Sequence, residues 1–422
     1  MYKVYILGAW HQGFVIAGVL AENEFDVTCI VNSSEEKVLS ESLQFPVFEP
    51  GLIELIKLGD KAGKLHFLTK DEVTFETNSV VVLAHDTSVN EEDESDLSDF
   101  KSDLHLVLLS TGDSTQILIS AQIPVGTCDE TIMEYSSFIP NLSKRISVLP
   151  ENLRLGKAIE RFRKPPLPVV GCSEENQRYW KDFFNFTCVE FSFCTQTEAE
   201  LLKHSLNSYL AMNIAFGNEI YRLGGAVGAN GKRVIELLEL EPRVGKMSPK
   251  RPGLPFFGGT LARDLVSLRK ISEEMSLRAP LVGSILDSND EQKNYVLKKL
   301  LEFEELQGTK RVAICVIGLT YTAETSTLRR SPGLWLVEEL MSRGFNVTAY
   351  DPRVKQQQAS YSLFTQAEEL SPHHVDCFIL VSPWPTLKNE ISEFVTNEFF
   401  IDIEGYLSQI GVTLPLNYRK IF

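Results

Sequence analysis

Short apolar runs separated by amphipathic stretches recur at both ends of this 422-residue chain, and that alternation limits the folds open to it. Val4 to Leu7, Asp26 to Val31, Val80 to Ala84, Leu104 to Leu109 and Arg145 to Val148 read as strands. Phe14 to Glu22, Glu35 to Glu41 and Gly51 to Lys57 read as the helices between them. Parallel strands cannot be joined by a tight hairpin and need a crossover, usually a helix. Strand–helix alternation therefore predicts a parallel, doubly wound sheet.

From Gln196 to about Leu240 the spacing changes. Glu200, Lys203, Asn207 and Leu210 recur every three or four residues, which puts them on one face of a long helix. Helix continues from Lys232 to Leu240 and stops before Pro242. The helix-breaking stretch Pro249 to Pro255 then leads into a glycine-rich loop and another helix, Leu261 to Ile271. A second strand–helix unit starts near Lys310, with strands at Val312 to Ile317, Asn346 to Tyr350, Val375 to Val381 and Phe399 to Ile403 and a helix at Pro332 to Ser342. The expected fold is α/β: two Rossmann-like doubly wound parallel-sheet domains joined by a long central helix and helical region. The domains are expected at 1–195, 196–300 and 301–422.

Composition bounds the partners. A formal net charge of −16 argues against nonspecific nucleic-acid binding, which draws on clustered Lys and Arg. The run Glu91-Glu92-Asp93-Glu94-Ser95-Asp96 reads as a solvated acidic loop. No apolar run is long enough to span a bilayer, and the first residues lack a signal-peptide layout. The seven cysteines are scattered without a Cys-x-x-Cys pair, which reads as reduced thiols in a cytoplasmic protein and gives no zinc pattern.

Gly8-Ala9-Trp10-His11-Gln12-Gly13 follows the first strand and opens a helix, as a dinucleotide-binding fingerprint does. The middle glycine of such a loop lets a pyrophosphate approach the helix N-terminus; here that position is Trp10. Asn32 stands at the end of the second strand, where an acidic residue usually meets the ribose hydroxyls. Taken alone, the motif fits a cofactor loop and a plain strand–turn–helix corner about equally.

Further segments carry a resemblance. They are Pro46-Val47-Phe48-Glu49-Pro50-Gly51-Leu52, Asp96-Leu97-Ser98, Ile123-Pro124-Val125-Gly126-Thr127, Pro150-Glu151-Asn152-Leu153-Arg154-Leu155-Gly156 and Glu241-Pro242-Arg243-Val244-Gly245. Later come Phe257-Gly258-Gly259-Thr260-Leu261-Ala262-Arg263-Asp264, Gly318-Leu319-Thr320-Tyr321, Arg329-Arg330-Ser331-Pro332, Asp351-Pro352 and Trp384-Pro385. In this order they resemble the UDP-glucose/GDP-mannose dehydrogenase family over essentially the whole chain. The resemblance implies NAD on the first domain, a UDP-sugar as substrate and a homodimer built on the long helix. Members oxidise a sugar C6 alcohol twice, through a cysteine thiohemiacetal and thioester, so that covalent catalysis splits one hard oxidation into two.

The resemblance also implies roles for single residues. Lys203 matches a lysine that stabilises negative charge on the sugar oxygen, and Asn207 its oxyanion-binding partner. Asp264 matches an aspartate that assists proton transfer through water, and Glu151 a glutamate of thioester hydrolysis. Cofactor contacts fall to Gly8, Gly13, Asn32, Thr87 and Arg329, and substrate contacts to Arg243, Gly258 and Gly259. The family's Phe-Gly-Gly-Ser-Cys-Phe-Pro-Lys-Asp loop is one residue shorter here, and its cysteine position reads Leu261. Leu155, Thr322, Ser326 and Thr327 depart from the pattern as well. Several residues also suit plain structural duties: Glu151 as a helix cap, Arg329 as a surface cation, and His11, His85 and His204 in ordinary packing. Cys128 and Cys194 are the thiols considered as substitutes for the missing nucleophile.

Two functions follow. One is an NAD-dependent UDP-sugar oxidoreductase of the UDP-glucose 6-dehydrogenase type, not competent for the cysteine-dependent four-electron oxidation. The other is a non-catalytic relative that binds a nucleotide sugar or a partner.

Overall fold

The computed structural model describes residues 2–90, 94–150, 152–245, 249–303, 306, 312–321, 328, 330–354, 361–366, 369, 374–387, 389–390, 399–410 and 414–422. It divides into two compact units, Met1–Leu206 and Asn207–Phe422.

In the first unit the order is β1 (Lys3–Leu7), α1 (His11–Glu22), β2 (Asp26–Val31), α2 (Ser34–Glu41), α3 (Leu52–Lys61), β3 (Leu65–Thr69) and β4 (Val80–Leu83). After these come β5 (Ser88–Val89), β6 (Ser95–Asp96), α4 (Ser98–Ser110), β7 (Gln116–Ile119), α5 (Thr127–Tyr135), β8 (Ile146–Val148) and α6 (Ala158–Arg163). β9 (Val169–Gly171), α7 (Gln177–Phe183), β10 (Ser192–Cys194) and the start of α8 (Gln196–Ala226) complete it. The sheet runs β10-β9-β8-β7-β4-β1-β2-β3. Its pairs are parallel, except that β8 meets β9 antiparallel. β1 and β4 are apolar on both faces, as a parallel sheet covered by helices requires. The apolar clusters on the two faces separate Val4, Ile6 and Val82 from Tyr5, Leu7 and Val81, which is the period-two alternation of a strand.

Two expectations are corrected. Leu104 to Leu109 is not a strand but part of α4; Phe100, Leu104, Val107 and Leu108 are buried while Lys101, His105 and Leu109 are exposed. That is helical periodicity, and the strand lies later, at β7. The acidic stretch is also not wholly loop: Ser95–Asp96 pairs antiparallel with Ser88–Val89, and Glu91 to Asp93 lie outside the described residues.

The second unit begins inside α8 and continues with α9 (Gly231–Leu238), α10 (Thr260–Glu274) and α11 (Pro280–Leu301). Its sheet comprises β11 (Ala313–Ile317), β12 (Asn346–Tyr350), β13 (Ser362–Phe364), β14 (Cys377–Leu380), β15 (Phe399–Asp402) and β16 (Asn417–Lys420). They are ordered β13-β12-β11-β14-β15-β16 and parallel throughout. Ser331 caps α12 (Pro332–Ser342) by accepting from the Leu334 N–H, with Pro332 at the first helical position.

Gly13 shows how tightly the first crossover packs. A Cβ there would overlap the carbonyl oxygen of Gly8. Gly13→Ala should therefore destabilise the first unit by about 3 kcal/mol, because backbone cannot yield as a side chain does. A lowered urea midpoint checks this; an unchanged midpoint would mean that the helix and strand lie farther apart.

Candidate functional site

The first candidate site is the corner between β1 and α1. Gly8 has φ +94, and a Cβ on it would lie 2.5 Å from the Ala84 carbonyl oxygen. Gly8 and Gly13 are thus demanded by the chain's own backbone, for the turn and for helix–strand approach. Trp10 sits between them with φ −122 and ψ −170, an extended conformation open to any residue, and is 44% exposed. Glycine at this position would serve a ligand rather than the turn.

The sheet order reverses at this corner, with β2 and β3 to one side of β1 and β4, β7 and β8 to the other. Ligands of open α/β sheets bind outside the carboxyl ends of the strands at such a point. Thr87, on the loop after β4, is buried and donates through Oγ1 to the Gln122 carbonyl at 2.9 Å, tying that loop to the one after β7. Asn32, just after β2, is exposed, and its backbone N–H donates to Glu36 Oε2 at 2.8 Å.

His11 and His85 are each held by a buried carboxylate. His11 Nε2 lies 2.8 Å from Glu49 Oε2, and the Glu49 carboxylate also accepts from the N–H groups of Gly156 and Ala158. One carboxylate therefore joins the Pro46–Leu52 segment to the loop after β8. His85 Nε2 lies 2.9 Å from Asp103 Oδ2, and Lys70 Nζ 2.5 Å from Oδ1. Burial pushes the Asp103 carboxyl up, but the hydrogen bonds from His85 and Lys70 outweigh it and hold it below its ordinary value. Nothing in the spacing of Lys70, His85 and Asp103 signalled this cluster; only the fold assembles it.

At the start of α8, the buried Glu200 accepts from the N–H groups of Gly126 (2.6 Å) and Cys128 (2.9 Å), at the N-terminus of α5. Burial nevertheless raises its pKa above the ordinary carboxyl value. His204 Nε2 donates to the Ile123 carbonyl at 2.8 Å. The Ile123–Thr127 turn is thus fastened to the helix that carries Lys203, which is itself 8% exposed.

In the second unit Asn207, one turn beyond Lys203 on α8, donates from Nδ2 to Asp264 Oδ2; the two are 6% and 0% exposed. Arg263 Nε lies 3.7 Å from Asp264 Oδ1. The preceding loop is held by buried amides. Asn218 Oδ1 accepts from Gly253 N, Gln292 Nε2 donates to Gly253 O, and Asn289 pairs with both N–H and C=O of Phe256. Gly258 has φ +79 and donates its N–H to the Arg330 carbonyl, while the Tyr321 ring fills the space a Cβ would need. Gly259 is the N-cap residue of α10. Leu261 packs against Ala211, Ala215, Phe256, Leu265 and Ile285. Arg243 is 87% exposed and bonded to Glu241. Glu151 and Arg329 lie outside the described residues.

Neither helix of this pair bears a thiol. Cys315 and Cys377, the two cysteines of the second unit, are fully buried in β11 and β14, and burial raises the Cys315 thiol to about 12. Burial likewise pushes up the Cys128 and Cys194 thiols, the opposite of what a reactive thiolate needs.

Comparison with known proteins identifies the frame. Residues 2–184, 197–291 and 315–409 match in order the NAD-binding, central and UDP-binding domains of the UDP-glucose/GDP-mannose dehydrogenase family. A UDP-glucose 6-dehydrogenase of Rhizobium meliloti is 30% identical over 363 residues, covering 83% of this chain and 81% of the relative. The chain belongs to this family. A GDP-mannose 6-dehydrogenase of Azotobacter vinelandii is 26% identical, covering 84% and 82%. The UDP-glucose dehydrogenase structure from Pyrobaculum islandicum shares the fold with a TM-score of 0.83 at 23% identity, covering 95% of this chain and 94% of that one.

As a member of the dehydrogenase family the chain carries an NAD-binding domain, and its cofactor is NAD. The β1–α1 corner fits that cofactor in its two glycines and in a helix N-terminus with no side-chain cap, with Trp10 standing between the glycines. Trp10→Gly should tighten NAD binding about tenfold, or about 1.4 kcal/mol. Calorimetric titration measures it, and unchanged affinity would show that the indole lies clear of the pyrophosphate.

Proposed function

We propose that this protein is an NAD-dependent oxidoreductase of a UDP-sugar that stops at the two-electron stage, converting an alcohol to an aldehyde or ketone. The observation that carries this reading is the buried Asn207–Asp264 pair on helices that bear no thiol. An alcohol oxidation needs a hydride acceptor, a proton acceptor and stabilisation of the developing alkoxide. Bound NAD supplies the first. Asp264, oriented by Asn207, takes the proton through water. Lys203 and the Asn207 amide stabilise the negative oxygen, an effect that is large where water is excluded. In balance, R–CH2OH and NAD+ give R–CHO, NADH and H+.

A second oxidation by the covalent route would need a thiolate that adds to the aldehyde and holds it as a hydride donor. Neither Thr260 nor Leu261 supplies one. Glu151 would have its hydrolytic role only in that second half-reaction. Thr87, Gly8, Gly13, Asn32 and Arg329 are the proposed cofactor contacts, and Arg243, Gly258 and Gly259 the proposed substrate contacts. With UDP-glucose as substrate the expected yield is one NADH per sugar and no UDP-glucuronate. Two NADH per sugar with uronate formed, read by absorbance and mass spectrometry, would refute the proposal.

We further propose a homodimer through α8. Tyr209, Phe216 and Leu223 are 51%, 44% and 61% exposed and recur every seven residues, an apolar seam along one side of the helix. Phe216→Glu with Leu223→Glu should shift the protein from dimer to monomer in sedimentation velocity. A cytoplasmic location is part of the same reading and is supported by seven free cysteines.

A further inference from the structure

The first turn of α10 decides which side chain of the glycine-rich loop faces Asp264. The helix begins at Thr260, with Gly259 as its N-cap. Residues four apart share a helix face, so Thr260 stands one turn ahead of Asp264 on the same side. Leu261 is rotated about 100° from it and stands one turn ahead of Leu265. The structure sorts these pairs into different surroundings. Leu261 and Leu265 pack in one apolar cluster with Ala211, Ala215, Phe256 and Ile285. Thr260 is exposed, and Asp264 is buried against the Asn207 amide.

The family loop places its cysteine four residues before its aspartate. Counted forward from Gly258-Gly259, the cysteine position falls on Leu261; counted back from Asp264, it falls on Thr260. The two counts differ because the loop is one residue short, and the structure shows which end can absorb the loss. Gly258 and Gly259 precede the helix, in backbone that can close up without turning any later side chain. Inside α10 a one-residue slip would turn Asp264 by about 100° and break its bond to Asn207.

We propose that Thr260, not Leu261, is the loop residue that meets the sugar carbon being oxidised, and that its hydroxyl hydrogen-bonds the reacting oxygen. The chain has exchanged a nucleophile for a hydroxyl at this point instead of filling the place with leucine. This rests on the UDP-sugar reading above. It deepens that reading, because a threonine hydroxyl orients an alcohol but stays protonated at neutral pH and does not add to the aldehyde as a thiolate does. The step keeps its balance: the C–H hydride goes to the nicotinamide, the O–H proton leaves by way of Asp264, and no bond to Thr260 forms or breaks.

The test compares Thr260→Cys with Leu261→Cys in the full chain. Alkylation by iodoacetamide is followed by mass spectrometry of the peptide containing 260–261, which separates the new thiol from the native ones. The thiol at 260 should react at least about tenfold faster than that at 261, be protected by UDP-glucose, and raise the yield from one NADH per sugar toward two. Leu261→Cys should react slowly, show no protection and leave the yield at one. Faster or protected alkylation at 261, or a second NADH from that variant alone, would overturn the proposal. Should wild-type protein fail to bind UDP-glucose by calorimetry, the UDP-sugar reading fails by itself, and the ligand-free alkylation ratio still decides which residue the helix presents. Thr260→Ala should lose about tenfold in kcat, and Thr260→Ser, which restores the hydroxyl, should recover most of that loss, a split that a purely structural threonine would not produce.

Discussion

Parallel pairing is the constraint on which both sheets depend. A parallel strand cannot return through a tight turn, so nearly every pair in β10-β9-β8-β7-β4-β1-β2-β3 and every pair in β13-β12-β11-β14-β15-β16 calls for a crossover. Each crossover covers a face and carries the chain back across it, which is why β1, β4, β11, β14 and β15 are apolar nearly throughout. The same geometry brings the loops after β1 and β4 together at the point where strand order reverses. Gly8 answers to that closeness, and its φ of +94 with Ala84 against it leaves no room for a side chain.

Polar groups inside this frame are organised by a few multivalent side chains. Glu49 takes His11 and two backbone N–H groups, Glu200 takes two at the start of α5, and Asp351 takes the N–H groups of Leu319 and Thr320 and the Arg353 guanidinium. Amides do the equivalent work around 253–256. A buried carboxylate or amide left without partners costs far more than its hydrogen bonds return. Each of these residues therefore holds a loop in place through several partners at once. The loops so locked are Pro46–Leu52 and Ile123–Thr127 in the first unit and the run into α10 in the second.

The proposed chemistry rests on where charge and thiols lie. Asn207 and Asp264 stay paired and buried, while every cysteine of the second unit is enclosed in a strand. Under the proposed roles, a site with a proton acceptor and an oxyanion donor but no thiolate suits hydride removal from an alcohol and not acyl transfer. The change at Trp10 is of a different kind. It adds bulk at the start of α1 and costs the turn nothing, since the backbone there is extended.

Sequence alone determined the fold class, the helical break from Gln196 onward and most strands, because periods of two and 3.6 residues are local consequences of burying one face. It also placed Lys203 and Asn207 on one helix face, since spacing within a helix is fixed by its pitch. Leu104 to Leu109 was misread because a short apolar run satisfies strand and helix alike, and only the sheet assigned its burial. Tertiary structure alone decided what depends on residues far apart: Asp103 gathering Lys70 and His85, Glu49 joining two distant loops, and Asn207 reaching Asp264. The loop itself shows the division most sharply. Its letters hold no cysteine from Pro255 to Asp264, but which side chain stands one turn ahead of Asp264 depends on the register of α10, which the bond from Asn207 on a different helix fixes.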